Sequence, residues 1–233
     1  MDFSQTLIVR TAPTLAKTLA QYPQAMGLAI ADIVHAPAVL PPTAQAVILT
    51  SQNAVPAASL ALQGKKLPIY AVGRATAESA QALGMEVAEI GQNDAADLAA
   101  CIVNAYLQPC VLAHFHGDTA DLTWHGVLQK RGFSVTPVLA YRTQWLDNLP
   151  ADTLAALHMG KLTTVGLWSA RAAGHLQLLL KQARISPQSL HAVCCSAKVA
   201  TVVCGFAGAH IAHSPTAAAM HTAMVQALPM KGQ

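Results

Sequence analysis

The chain has 233 residues, 14 Lys and Arg against 11 Asp and Glu for a net charge of +3, and 53% apolar residues. Only 11% of the residues are charged, well under the roughly 25% of an average soluble domain, and this excludes intrinsic disorder. Basic and acidic residues in near balance leave no phosphate-tracking stripe, which excludes a nucleic-acid binder. A mean hydropathy of +0.38 invites a membrane reading, but Pro, Gly, His and charged residues interrupt every run that approaches the ~20 apolar residues a span needs. Even the most apolar stretch, 190–212, contains Lys198 and His210. The opening MDFSQTLIVR has an acid at position 2 and no basic segment, so no signal peptide is read and a cytoplasmic protein is expected. Five cysteines, at 101, 110, 194, 195 and 204, form no CxxC pair. An odd count points to reduced thiols, and Cys194-Cys195 reads as two small hydrophobes in a strand.

In chain order the pattern predicts a strand at 7–10, a helix at 13–22, and strands at 27–33 and 46–50. A helix at 52–62, a strand at 68–72, a helix at 75–83 and a strand at 86–90 follow. Next come a helix at 95–106, a strand at 110–115, a helix at 121–131, a strand at 133–138 and a helix at 149–158. The last third predicts strands at 162–168, 190–195 and 209–213, alternating with helices at 170–183, 197–205 and 215–228. Strands separated by helices mean βαβ units and parallel sheets. Ser51, Asp94, Ser169, Ser196 and Ser214 stand where helix N-caps are expected. Pro215 falls at the first helical position after Ser214, where proline is favoured.

Ten strands are many for one sheet, and the chain carries a weak internal repeat. AVILTSQNAVPAASLAL (46–62) resembles TVGLWSARAAGHLQLLL (164–180), and YAVGRATAESAQALGMEVAEI (70–90) resembles AVCCSAKVATVVCGFAGAHIA (192–212). Two five-stranded α/β modules fit this pattern. Pro37, Pro41 and Pro42 cannot continue a central strand or helix. The expected organisation is an inserted lobe, 43–138, within a composite lobe of 1–34 plus 149–233, with connectors at 35–42 and 139–148. A chain so divided puts a small-molecule site in a cleft between lobes.

Several segments carry a family resemblance. IVRTAPTLAKTL (8–19), VILTSQNAV (47–55), YAVGRATAESAQALG (70–84), LQKRGFSVTPVLAYRT (128–143) and SPTAAAM (214–220) occur in this order and spacing. Together they resemble the uroporphyrinogen-III synthase family, over nearly the whole chain. The resemblance implies two flavodoxin-like lobes joined by a two-stranded connector, no metal and no organic cofactor. It also implies conversion of hydroxymethylbilane, a flexible linear tetrapyrrole with eight carboxylates, to uroporphyrinogen III, with loss of water and inversion of the last ring. The enzyme class implied is a cyclising hydro-lyase, and the product leads into haem biosynthesis. Transient hand-over from the preceding pathway enzyme is a further implied partnership. No apolar stripe is left over, and a monomer is expected.

Tyr141, in AYRT, matches a cleft-facing tyrosine that the family places at this connector, and is expected to assist departure of the hydroxyl. A phenol donates to a leaving oxygen while neutral; the competing role is a hinge tyrosine packing its ring. Eight carboxylates would suit an arginine-lined pocket, and this chain is poor in arginine. Helix N-termini bind anions through backbone N–H groups instead. Such ends are expected after Thr50-Ser51, after Gly73, after His116-Gly117, after Ser169 and after Ser196, at the carboxyl ends of parallel strands. Arg10 and Arg74 sit at strand-end turns and are able to pair with carboxylates. Thr76, in GRATA, matches a family threonine, with a local helix hydrogen bond as its competing role. In SAKVA (196–200), Lys198 and Val199 stand where the family often carries hydroxyl residues. Lys198 either supplies charge to a carboxylate or points to solvent. His114-Phe115-His116 puts two imidazoles on one strand face, but no third ligand at convincing spacing completes a metal site. The rival readings are a catalytically silent tetrapyrrole-binding or regulatory relative, favoured by Lys198-Val199, and an unrelated two-lobed small-molecule receptor.

Overall fold

The computed structural model describes residues 1–228 except Gln92, Asn93, Leu107 and Pro215. Pro215, expected to open the last helix, thus lies outside the described residues. The first elements are β1 (Thr6–Thr11), α1 (Ala12–Leu19), β2 (Met26–His35), β3 (Ala46–Leu49), α2 (Val55–Leu62), β4 (Ile69–Val72) and α3 (Arg74–Ala82). The middle holds β5 (Val87–Gly91), α4 (Ala95–Ala105), β6 (Val111–Gly117), α5 (His125–Gln129), β7 (Ser134–Trp145) and α6 (Ala151–His158). The remainder is β8 (Thr164–Leu167), α7 (Ala170–Gln182), β9 (His191–Cys194), α8 (Ala197–Ala200), β10 (Gly208–Ile211) and α9 (Ala217–Gln226). The fold is mixed α/β with mostly parallel strands. Among the described residues no helix is long and apolar enough to cross a membrane.

Two compact units divide the chain, Met1–Asp32 with Gln144–Gln233, and Ile33–Thr143. In the first, the strand order is β10-β9-β8-β1-β2, with every neighbouring pair parallel. In the second it is β7-β6-β3-β4-β5, again parallel throughout. The unit boundaries fall inside strands, between Asp32 and Ile33 of β2 and between Thr143 and Gln144 of β7. Within the first unit Leu146 N–H donates to Ile30 C=O at 3.0 Å; within the second, Ala36 N–H donates to Ala140 C=O at 2.9 Å.

Parallel strands covered by helices on both faces read as unbroken apolar runs, and β3 shows why. Ala46 and Ile48 pack with Leu98, Ala99 and Ile102 of α4, while Val47 and Leu49 pack with Ala57, Ala58 and Leu62 of α2. All four residues of β3 are buried. Ile48→Ala empties a fully buried site and is expected to cost about 3 kcal/mol in urea unfolding; a loss under about 1 kcal/mol would show that the two helical layers relax into the space.

The caps follow the sequence in part. Asp94 accepts from the N–H groups of Ala96 and Asp97, and Ser169 from that of Ala172. Ser51 accepts from Asn53 N–H, but it caps a 3-10 turn, Gln52–Ala54, that precedes α2. Ser196 occupies the N-cap of α8 without a side-chain bond. Ser214 is not the cap of α9: Thr216 accepts from Ala219 N–H there, and Ser214 Oγ lies 3.1 Å from Thr216 Oγ1. Residues 139–145, expected as connector, continue β7. The helices expected at 121–131 and 197–205 shrink to five and four residues.

Candidate functional site

In the second unit the expected residues gather at the carboxyl ends of β3, β4 and β6, where Tyr141 lies alongside within β7. Leu49 of β3 is in register with Phe115 of β6 and Ala71 of β4, so Thr50, Gly73 and His116 follow at one edge. Between His116 and Gly117 the pairing with β7 slips, from His116–Leu139 to Gly117–Tyr141. That slip brings Tyr141 beside a residue with no side chain. A Cβ on Gly117 would lie 2.5 Å from Tyr141 Cζ and 2.7 Å from its hydroxyl oxygen, so the ring occupies the space an alanine would need. Asp118 ties the turn down: its N–H donates to Tyr141 C=O at 3.1 Å, and its carboxylate accepts from Thr143 N–H at 3.2 Å. The half-buried Tyr141 thus has a fixed ring and a hydroxyl that makes no hydrogen bond among the described residues.

Behind this edge runs a buried polar chain that sequence reasoning missed. Thr50 Oγ1 lies 3.0 Å from His114 Nε2, and His114 Nδ1 lies 2.8 Å from His125 Nε2. His114 is fully buried, its ring 5.1 Å from that of Trp124 and 5.3 Å from that of His116. Burial, and then the neighbouring His125 and His116, hold its pKa down to about 3. Burial also lowers His125. Both rings are therefore neutral at pH 7 with one N–H each, and the chain orients the Thr50 hydroxyl. His116 Nδ1–H donates to Gly117 C=O at 2.8 Å. The alternation HFH does put His114 and His116 on one face. His125 could not be read from it, because it arrives from α5. Among the described residues no three His, Cys, Asp or Glu side chains are grouped to hold a metal ion.

Gly73 caps α3 through its backbone alone, and Arg74 is exposed in the first turn. Thr76 is buried. The helix N-terminus expected directly after His116-Gly117 does not form: Asp118–Trp124 intervene before α5, because Asp121 turns the chain by accepting from Thr123 N–H at 2.9 Å. A hollow of about 390 Å³ lined by Leu62, Lys65, Lys66, Leu67, Met85 and Glu86 opens at the other, amino-terminal ends of β4 and β5 and involves none of these residues.

In the first unit, Arg10 near the end of β1, Ser169 at the start of α7 and Ser196 at the start of α8 share the corresponding edge. Val9 pairs with Leu167, and Leu167 with Cys194, so the three residues leave adjacent strands in turn. Lys198 is exposed and Val199 is buried. Arg10 is only partly exposed; its guanidinium carbon lies 5.2 Å from the Trp168 ring centroid.

A family model described as uroporphyrinogen-III synthase HemD matches residues 13–222. The chain belongs to that family. Among solved structures, the uroporphyrinogen-III synthetase of Helicobacter pylori 26695 is 16% identical, with 95% of this chain and 99% of that chain covered at a TM-score of 0.68. A mutant uroporphyrinogen III synthase from the extremely thermophilic bacterium Thermus thermophilus is 12% identical, with 95% and 96% covered at a TM-score of 0.56. Both share the fold. Among curated proteins none matches. Membership in the uroporphyrinogen-III synthase family makes the chain an enzyme of tetrapyrrole biosynthesis that acts on a small-molecule tetrapyrrole.

Proposed function

We propose that the chain is a cyclising hydro-lyase that converts hydroxymethylbilane to uroporphyrinogen III with inversion of the last pyrrole ring. The observation that carries this is the family match across 13–222. In the proposed reaction the pyrrole nitrogen lone pairs expel the terminal hydroxyl, to which Tyr141 O–H donates as it leaves as water. The resulting azafulvenium cation closes through a spiro intermediate, and the proton released when the attacked pyrrole regains its aromaticity returns to the Tyr141 phenolate. The remaining demand is positional, and holding reacting groups in place supplies much of such a barrier.

Substrate carboxylates are assigned to Arg10, Thr50, Ser51, Gly73, Arg74, Thr76, His116, Gly117, Ser169, Ser196 and Lys198. The oriented hydroxyl of Thr50 and the backbone cap at Gly73 support the assignment in the second unit. The unpaired guanidinium of Arg10 supports it in the first. Lys198 is the least constrained of the set. Its exposure favours solvent as much as a ligand, and the silent-relative reading gains nothing from it. We read the first unit as a flavodoxin-like lobe, since its strands counted along that unit run 2-1-3-4-5; the second runs 3-2-1-4-5, the other doubly wound order. The second is taken as the insertion, 43–138, with connectors at 35–42 and 139–148. A cytoplasmic monomer receiving its substrate by transient hand-over completes the reading.

The test is isomer composition. Purified protein given freshly made hydroxymethylbilane should divert product from the spontaneous I isomer to the III isomer. The I isomer alone, with folded protein in stoichiometric excess, would sink the assignment.

A further inference from the structure

An aromatic column stands under Arg10 and has no part in the reaction proposed for the chain. Trp168 directly follows β8, and its ring folds back over the strand at Gly166. A Cβ on Gly166 would lie 2.8 Å from Trp168 Cζ3 and 3.1 Å from Cη2, so glycine is what admits the ring. The ring meets Tyr22 edge-on, with centroids 6.5 Å apart. Tyr22 is fully buried and is itself held by Phe3 at 5.0 Å and His221 at 5.6 Å. The backbone is fixed as well: Cys195 Sγ–H donates to Trp168 C=O at 3.2 Å.

Arg10 lies over this ring at 5.2 Å, within cation–π reach. Its Nε is buried and has no hydrogen-bond partner. Burial lowers its pKa, the one opposing influence being Cys195, and among the described residues no carboxylate pairs with it. Arginine stays charged even so. Removing a guanidinium from water without an anion is costly, and stacking on a ring face leaves its in-plane N–H donors unused. Those donors form a planar fork that matches a carboxylate in two parallel hydrogen bonds.

We propose that Trp168 is a positioning residue that presents the Arg10 fork to one carboxylate of the substrate. The identity of that substrate rests on the function proposed above; the Arg10–Trp168 anion site itself does not. Seated on an immobile ring, the fork loses little freedom when it pairs, so the gain appears as binding. A lysine at position 10 would keep the charge but forfeit both the stack and the bidentate geometry.

Steady-state formation of the III isomer provides the test. Trp168→Leu should raise KM about tenfold with kcat within twofold, and Trp168→Phe, which keeps a ring face, should bring KM back to within threefold of the parent. Arg10→Gln and Arg10→Lys should each raise KM about tenfold. The double variant Arg10→Gln/Trp168→Leu should be no weaker than Arg10→Gln alone, since the two residues act through one contact. A KM unchanged in Trp168→Leu, a loss in kcat instead, or additive effects in the double variant would overturn the proposal. If Trp168→Leu does not fold, an Arg10→Lys variant with parental KM does so. Binding of the octacarboxylate uroporphyrin III, followed by quenching of tryptophan fluorescence, separates this proposal from the enzymatic one. A chain that makes no III isomer yet binds this probe tenfold more weakly as Arg10→Gln removes the enzyme reading and keeps the anion site. Binding indifferent to Arg10 removes the site.

Discussion

Gly117→Ala is expected to abolish most of the activity without touching a single donor. The added Cβ would stand 2.5 Å from Tyr141 Cζ, so the ring must swing away and take its hydroxyl with it. If Tyr141 assists the departing hydroxyl, its removal by Tyr141→Phe should lower kcat about 100-fold, the lower range for a positioned proton donor, with KM nearly unchanged. Gly117→Ala should approach the same loss. It should also cost about 1–3 kcal/mol of stability by overpacking, read in urea. The steric cause is checked by Gly117→Ala in a Tyr141→Ala background, where that stability cost should vanish. A Tyr141→Phe enzyme with parental kcat would remove the chemical role and leave Tyr141 as a packed hinge residue.

Acid should destabilise the protein through one buried ring above all. His114 is held down to about 3 and stays neutral in the folded state at pH 5. The same ring in the unfolded chain, with an ordinary value of 6.5, takes up a proton. The unfolded state thus binds more protons as the pH falls below about 6.5, and stability is lost between there and about 3. At pH 5 the loss from this group alone is about 2 kcal/mol relative to neutral pH. The lowered His125 adds in the same direction. In His114→Gln the drop in unfolding free energy from pH 7.5 to pH 5.0 should shrink by about 2 kcal/mol, even though the variant starts less stable. An undiminished drop would place the acid sensitivity elsewhere.

Much of the fold was legible in the sequence, because parallel strands buried on both faces announce themselves as short apolar runs between turn residues. AVIL at 46–49 needed no context, since both faces of β3 are covered. LAYRTQW at 139–145 did need context. Its polar residues resemble a connector, and only its pairing partners make it the second half of β7. Helix 121–131 shrank because Asp121 spends its carboxylate on a turn, a local competition that periodicity does not register. The strand-end positions of the candidate residues, Arg10 among them, follow from parallel topology, and Tyr141 was singled out by family resemblance. What was not legible is how those residues are held. The placement of Tyr141 depends on a one-residue slip against β6, the orientation of Thr50 depends on a histidine from another element, and the rigidity of Arg10 depends on a ring that folds back over glycine. Each is a property of register or of side-chain direction, invisible to spacing along the chain.

The divided first unit also sets an order of events during synthesis. Strand β1 lies between β2 and β8, and Thr163 Oγ1–H reaches Gln5 Oε1 across 158 residues of chain. At ~5–20 residues per second, a ribosome extends for many seconds after making β1 before it supplies β8. Throughout that interval residues 33–143, a contiguous stretch with its own clusters around β3, can complete their sheet. One apolar strand waits with an open edge meanwhile. Slowed translation after residue 143 should therefore raise the nascent chain's dependence on chaperones more than a pause of equal length placed once β8 (Thr164–Leu167) has left the ribosome.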